Sequence, residues 1–263
     1  MTDNTLDTSA RRALMLREMG ITPQWHLRGA SQEPAVEPVA VAVAMAPPAA
    51  ASASPGVSKN EPTADRRANI MRMDWTQIKA SVASCTSCAL HARRNKTVFG
   101  VGDENADWLF VGEGPGADED EQGEPFVGQA GKLLDSMLAA IQLKRGSNVY
   151  IANVVKCRPP GNRNPAADEA LACEPYLHRQ IELIQPKLIV ALGKVAAVNL
   201  LARDDTVASM RNKVHAYRGI PLIVTYHPAY LLRSLAEKAR AWEDLCFAVD
   251  TMQGLQNAKP DTI

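Results

Sequence analysis

The residues best suited to chemistry lie in three polar stretches, each placed directly after an apolar run. The first, Gly112 to Gly131 (GEGPGADEDEQGEPFVGQAG), carries six carboxylates, Glu113, Asp118, Glu119, Asp120, Glu121 and Glu124, around a Pro-Gly turn. So many anions would repel a phosphate, and the stretch suits a neutral ring or a transient cation better. The second follows Asn153 (VVKCRPPGNRNP), and the third is Thr225-Tyr226-His227-Pro228-Ala229-Tyr230-Leu231-Leu232-Arg233. Together they offer an amide with donors and an acceptor, a tunable imidazole donor, the stacking face of Phe126 and several carboxylates, an inventory for gripping and cleaving at a nucleobase. Each has a plainer alternative: a solvated acidic loop, a satisfied buried amide at Asn153 and a structural histidine at a strand end.

Four of the five cysteines form a candidate set: the C-x-x-C pair Cys85 and Cys88, then Cys157 and Cys173 far downstream. No run of about 18 apolar residues and no basic-plus-apolar leader is present, so the chain reads as soluble and cytosolic, with no membrane partner. Thiols there stay reduced, and the spacing suggests a metal site rather than disulfides. Cys246, in WEDLCF, reads as a buried helix residue. The 29 basic and 29 acidic residues cancel, so no global field drives binding to nucleic acid or membrane, and any such contact must use local patches.

Elements able to position these residues are legible from periodicity. Strands are predicted at Trp108 to Val111, Val149 to Val155, Lys187 to Leu192 and Pro221 to Tyr226, and helices at Lys132 to Leu143, Ala166 to Ile184, Lys194 to Leu201 and Ala236 to Met252. Their alternation gives an α/β fold, three layers α/β/α, with a central, mostly parallel four-stranded sheet. In such sheets ligands bind at the carboxyl ends of strands, where all three polar stretches fall. Pro175 predicts a kink or break in the second helix. The domain reading is an N-terminal peptide at 1–28, an Ala/Pro-rich linker at 29–73, the packed domain at 74–253 and a tail at 254–263.

On GEGPGADEDEQGEPFVGQAG, YIANVVKCRPPGNRNP, TYHPAYLLR and the four cysteines, residues Trp75 to Met252 resemble the iron-sulfur uracil-DNA glycosylases, family 4 of their superfamily. The resemblance implies a hydrolase that flips deoxyuridine out of DNA and cleaves its glycosidic bond, initiating base excision repair. Phe126 would then stack on uracil, Asn153 would read its O4 and N3–H, and His227 would donate to O2. Glu113 and Glu119 are the candidates for positioning water, with Asp120 third. Gly114 would contact the substrate through backbone, Leu231 would wedge into the minor groove and Arg233 would sit near phosphate. Cys85, Cys88, Cys157 and Cys173 would hold a [4Fe-4S] cluster, with a structural zinc as the alternative. The family more usually has Ala where this chain has Gly114, a change expected to be tolerated. The bulky ring that blocks thymine's methyl in other glycosylase families is replaced by Gly116, leaving thymine exclusion unexplained. A relative that becomes covalently trapped on its DNA carries an Arg-rich insert with a nucleophilic His after the Asn-bearing strand; RPPGNRNP lacks that His, so turnover is expected.

Two other functions fit parts of the chain. A non-catalytic DNA-binding or polymerase-associated module would not need Asn153, His227 and Phe126 intact, and a nucleotide-binding protein would need a glycine pattern that the acidic stretch lacks. The N-terminal peptide has its own resemblance: Arg11-Arg12, Leu16, Gly20-Ile21-Thr22, Trp25 and Leu27-Arg28 are similar to the peptide by which the psi subunit of the bacterial DNA polymerase III clamp loader docks on the loader. One extra residue separates Thr22 from Trp25. The implied partners are uracil-containing DNA and the clamp loader, with the chain a monomer at the nucleoid.

Overall fold

The computed structural model describes residues 64–257. Four strands form its parallel centre: β2 (Trp108–Gly112), β3 (Val149–Asn153), β4 (Leu188–Leu192) and β6 (Ile220–Thr225). Two short antiparallel strands extend the edges, β1 (Val101–Gly102) beside β3 and β5 (His215–Tyr217) beside β6, in the order β1-β3-β2-β4-β6-β5. The sheet therefore has six strands among the described residues, not the expected four. The edge strands are two and three residues long and only partly buried, so neither carries an apolar run.

All five residues of β2, of β3 and of β4 are buried, as a sheet covered on both faces requires. Side chains alternate between the two cores. Leu109, Val111, Tyr150, Ala152, Ile189, Ala191, Leu222 and Val224 pack on one face. There they meet α1 (Ala64–Ile70), α2 (Trp75–Ala83), α5 (Ala167–Ile184) and α6 (Gly193–Leu201) through Ile70, Ile78, Ile181 and Ala196. Trp108, Phe110, Val149, Ile151, Leu188, Val190 and Ile223 pack on the other against Leu134 and Leu138 of α4 (Gln129–Ala140) and Ala248 and Met252 of α9 (Lys238–Asn257). The period-two alternation makes each strand a spacer between helical layers.

Several boundaries move. The acidic stretch is not one loop: residues Ala117–Gln122 form α3, ended by Gly123 in a left-handed conformation. The His-Pro segment likewise turns into α8 (Pro228–Arg233), preceded by the one-turn α7 (Val207–Met210). Helix α5 continues through Pro175 without a break. Helix α1 lies inside the expected linker but belongs to the domain. Its Ile70 is in the core, and Arg67 pairs with Glu174 and reaches His178 on α5. At the other end α9 runs to Asn257, past the expected domain boundary. The N-terminal peptide, most of the linker and the last residues of the tail lie outside the described residues.

Candidate active site

The carboxyl ends of β2, β3, β4 and β6 open on a cavity of about 610 Å³, within the range of small-molecule sites. Its walls bring together Glu113, Gly114, Glu119, Phe126, Asn153, His227 and Arg233. The register explains the meeting. Gly112 lies directly beside Asn153, and Leu192 beside Thr225, so the residues that follow leave the sheet as neighbours. Glycine is required at Gly112: a Cβ there would lie 2.5 Å from Asn153 Oδ1 and 2.5 Å from Phe126 Cζ. At Gly193, φ is +86° and a Cβ would stand 2.8 Å from that of His227, so the β4–α6 turn passes close under the imidazole.

Asn153 is 2% exposed, and its Oδ1 has no hydrogen-bond partner among the described residues. A buried acceptor left unpaired costs about 1–3 kcal/mol, so the atom is set for a donor that arrives with a ligand. The strand end is held by buried Lys156, whose amine donates to the Asn153 carbonyl at 2.9 Å.

His227 caps α8. Its Nδ1 accepts the Ala229 amide at 3.1 Å, which leaves the proton on Nε2. Burial pushes the imidazole down to about 4, with Arg233 acting the same way and Glu119 opposing. The ring is therefore a neutral donor. Upstream, the Thr225 hydroxyl donates to buried Asp244 at 2.8 Å, and Asp244 also holds Arg211, which lies over Tyr226. The Phe126 and His227 rings stack at 5.5 Å, and Phe126 sits in a left-handed backbone conformation at φ 56°.

The carboxylates divide sharply. Glu119 spends both oxygens on backbone: Oε1 accepts from Val127 and Gly128 at 2.9 and 3.1 Å, and Oε2 from Gly116 at 3.0 Å. Asp120 is buried and accepts from the backbone and side chain of Asn95. Both shape the loop; Glu119 still lines the cavity, whereas Asp120 does not. The Glu113 carboxylate has no hydrogen-bond partner among the described residues, and burial pushes it up. At Gly114 a Cβ would meet Val155 Cγ2 at 2.7 Å, so alanine there forces a shift in a buried side chain and is not neutral. The place left by Gly116 is filled by the Glu119 carboxylate, 2.6 Å from where a Cβ would stand.

Leu231 does not present a wedge. It is 1% exposed and packs with Met137, Tyr226, Ala241 and Leu245, whereas Leu232 is 42% and Tyr230 39% exposed on the same short helix. Helical geometry places Leu231 nearly opposite Ala229, which lines the cavity, and so on the core side of α8.

Cys85, Cys88, Cys157 and Cys173 gather around the first core, close enough for their charges to act on one another, with Arg94 donating to Cys157 Sγ at 3.1 Å. Burial pushes Cys173 up to about 12. Among the described residues no group of three or more His, Cys, Asp or Glu forms a set that could hold a metal ion as it stands. Cys246 stands apart from the set on α9, partly rather than fully buried. Sequence reasoning gave no role to Gly112 and Lys156, though both stand in the polar stretches, and missed Gly193 and Arg145, which act by close approach or through backbone atoms.

Comparison with known proteins agrees with the geometry. The profile of the Uracil DNA glycosylase superfamily matches residues 99–246. A type-4 uracil-DNA glycosylase of Archaeoglobus fulgidus is 47% identical over 163 residues, covering 59% of this chain and 81% of the relative. One from Pyrobaculum aerophilum is 40% identical over 181 residues, 66% of this chain and 92% of the relative. A third, from Thermotoga maritima, is 43% identical over 165 residues, 62% and 85% of the two chains.

Proposed function

The chain belongs to the uracil DNA glycosylase superfamily, and from this premise we infer how its residues excise uracil from DNA by hydrolysing the N-glycosidic bond of a flipped deoxyuridine. The observation that carries the assignment of roles is the unpaired Oδ1 of Asn153 at the floor of the cavity. Flipping costs a few kcal/mol of unstacking and delivers the base to that floor. Uracil N3–H is the donor Oδ1 lacks, and the Asn153 amide nitrogen donates to O4. Cytosine presents an acceptor and an amine at the same places, so it leaves both groups of Asn153 mismatched. Polar-edge reading of this kind discriminates better than shape.

Bond cleavage leaves negative charge on uracil and positive charge on the sugar. His227 donates Nε2–H to O2, where the charge collects, from a neutral ring that need not reorganise. Phe126 stacks on the base. Glu113 holds the attacking water and stabilises the cationic sugar with its carboxylate. Gly114 brings backbone to the substrate, Arg233 faces phosphate, and exposed Leu232, rather than Leu231, fills the gap in the stack.

The four thiols hold a [4Fe-4S] cluster on this reading. Their donor chemistry fits: four sulfurs on one core, with Arg94, Arg66 and buried Lys156 supplying compensating positive charge. A cluster there supplies a structural brace, and no step of the reaction passes through it. Zinc on the same four thiols is the alternative filling, and metal analysis separates the two. The peptide at 1–28, whose structure lies outside the described residues, serves as a tethered dock for the polymerase clamp loader, raising the domain's concentration near new DNA. The enzyme works as a monomer at the nucleoid; no described helix is long and apolar enough to cross a membrane.

Oligonucleotides carrying one uracil, cytosine or thymine test the function. Free base is expected from the uracil strand alone. Release of cytosine at a comparable rate would overturn the Asn153 assignment.

A further inference from the structure

The left-handed backbone at Phe126 is unfavourable for a residue with a Cβ and persists only where its surroundings hold it. Two charged side chains do so from opposite sides. Arg145, in the turn between α4 and β3, donates Nη1 to the Pro125 carbonyl and Nη2 to the Phe126 carbonyl, each at 2.8 Å. Its Nε donates to Asp135 Oδ1 at 3.0 Å, which fixes the guanidinium on α4. Glu119 accepts the amide of Val127, in the same peptide group as the Phe126 carbonyl, and that of Gly128 in the next. The Phe126 carbonyl also lies against Gly131, where a Cβ would stand 1.8 Å from the oxygen, so the loop rests directly on the α4 backbone.

We propose that Arg145 is a positioning residue for uracil excision, acting through Phe126: its fork on two consecutive carbonyls sets the ring angle on which the base stacks. This rests on the reading of Phe126 as the stacking ring. Arg145 is outside the cavity walls and touches no substrate, so its effect must travel through the loop. A planar fork suits the site because three separate nitrogens meet the two carbonyls and Asp135 at fixed spacing, whereas an ammonium offers its donors from a single atom.

The test measures inhibition by free uracil and single-turnover excision for Arg145→Ala, Arg145→Lys, Phe126→Ala and the Arg145→Ala/Phe126→Ala double variant. Arg145→Ala is expected to weaken uracil inhibition and slow excision by roughly tenfold each, the scale of a lost charge-assisted hydrogen bond. DNA affinity should stay within about twofold, since phosphate contacts dominate it. Arg145→Lys should fall between, and the double variant should be no slower than Phe126→Ala alone, because two residues acting as one unit are not additive. Wild-type uracil inhibition in Arg145→Ala, beside a loss in Phe126→Ala, overturns the positioning role and leaves the stacking role standing. An unaffected Phe126→Ala overturns the stacking role itself. Additive losses in the double variant show that Arg145 acts by another route and also overturn the proposal. Should Arg145→Ala not fold, Arg145→Lys and Asp135→Asn decide: reduced uracil affinity in the folded variants supports the clamp, and wild-type affinity contradicts it.

Discussion

At His227 one backbone amide decides the chemistry. The Ala229 N–H occupies Nδ1, so only Nε2 can carry a proton toward the cavity. Burial then makes a second proton costly and lowers the ring to about 4 from its ordinary 6.5. The sign for stability follows. Below 6.5 the unfolded chain takes up a proton that the folded chain refuses, so the neutral ring's contribution is complete above 6.5 and is lost as pH falls toward 4. Nitrogen NMR of the imidazole should therefore show a neutral ring protonated at Nε2 from about pH 8 down to about pH 5.5. A titration midpoint near 6.5, or a proton on Nδ1, would contradict the donor role.

Among the elements, four strand ends converge because three crossovers bring β3, β2, β4 and β6 into parallel register, and their apolar runs made that layer legible in the sequence. What escaped reading had no such signal. Strands β1 and β5 are too short for a pattern, and α3 hides in an acidic run with no apolar face. Helix α1 follows low-complexity sequence and is held by Ile70 in the core and by Arg67 on Glu174, with too few apolar residues to show a period. In the site, Asn153, Phe126, His227 and Glu113 were legible as chemistry following apolar runs. The clamp role of Glu119 was not, because its partners are the backbone amides of Gly116, Val127 and Gly128, which any residue supplies. The cysteines belong to this scale also, since they join the chain after α2, the turn after β3 and helix α5. Anaerobically purified protein should be brown and carry iron and sulfide, about four of each per chain. Cys173→Ala should lose the colour and most of its stability while leaving the cavity residues untouched. Stoichiometric zinc without iron would refute the cluster.

Over the whole molecule charge is balanced, 29 basic against 29 acidic residues, so DNA is held by local contacts rather than by a global field. Such contacts fall on the phosphates, while the base is read by the cavity. Affinity for DNA and cleavage are therefore separable functions of different surfaces. Arg233, exposed Tyr230, half-buried His227 and buried Asn153 all line the cavity, so its walls grade from solvent to core. Single-turnover release of uracil from a duplex carrying one uracil, measured beside DNA binding for Asn153→Ala and His227→Ala, tests this division directly. Each variant is expected to lose roughly 100- to 1,000-fold in rate, the scale of a lost transition-state donor, while DNA affinity changes by less than about threefold. Uracil release by either variant at the wild-type rate, or a loss of DNA affinity as large as the loss in rate, would contradict the account.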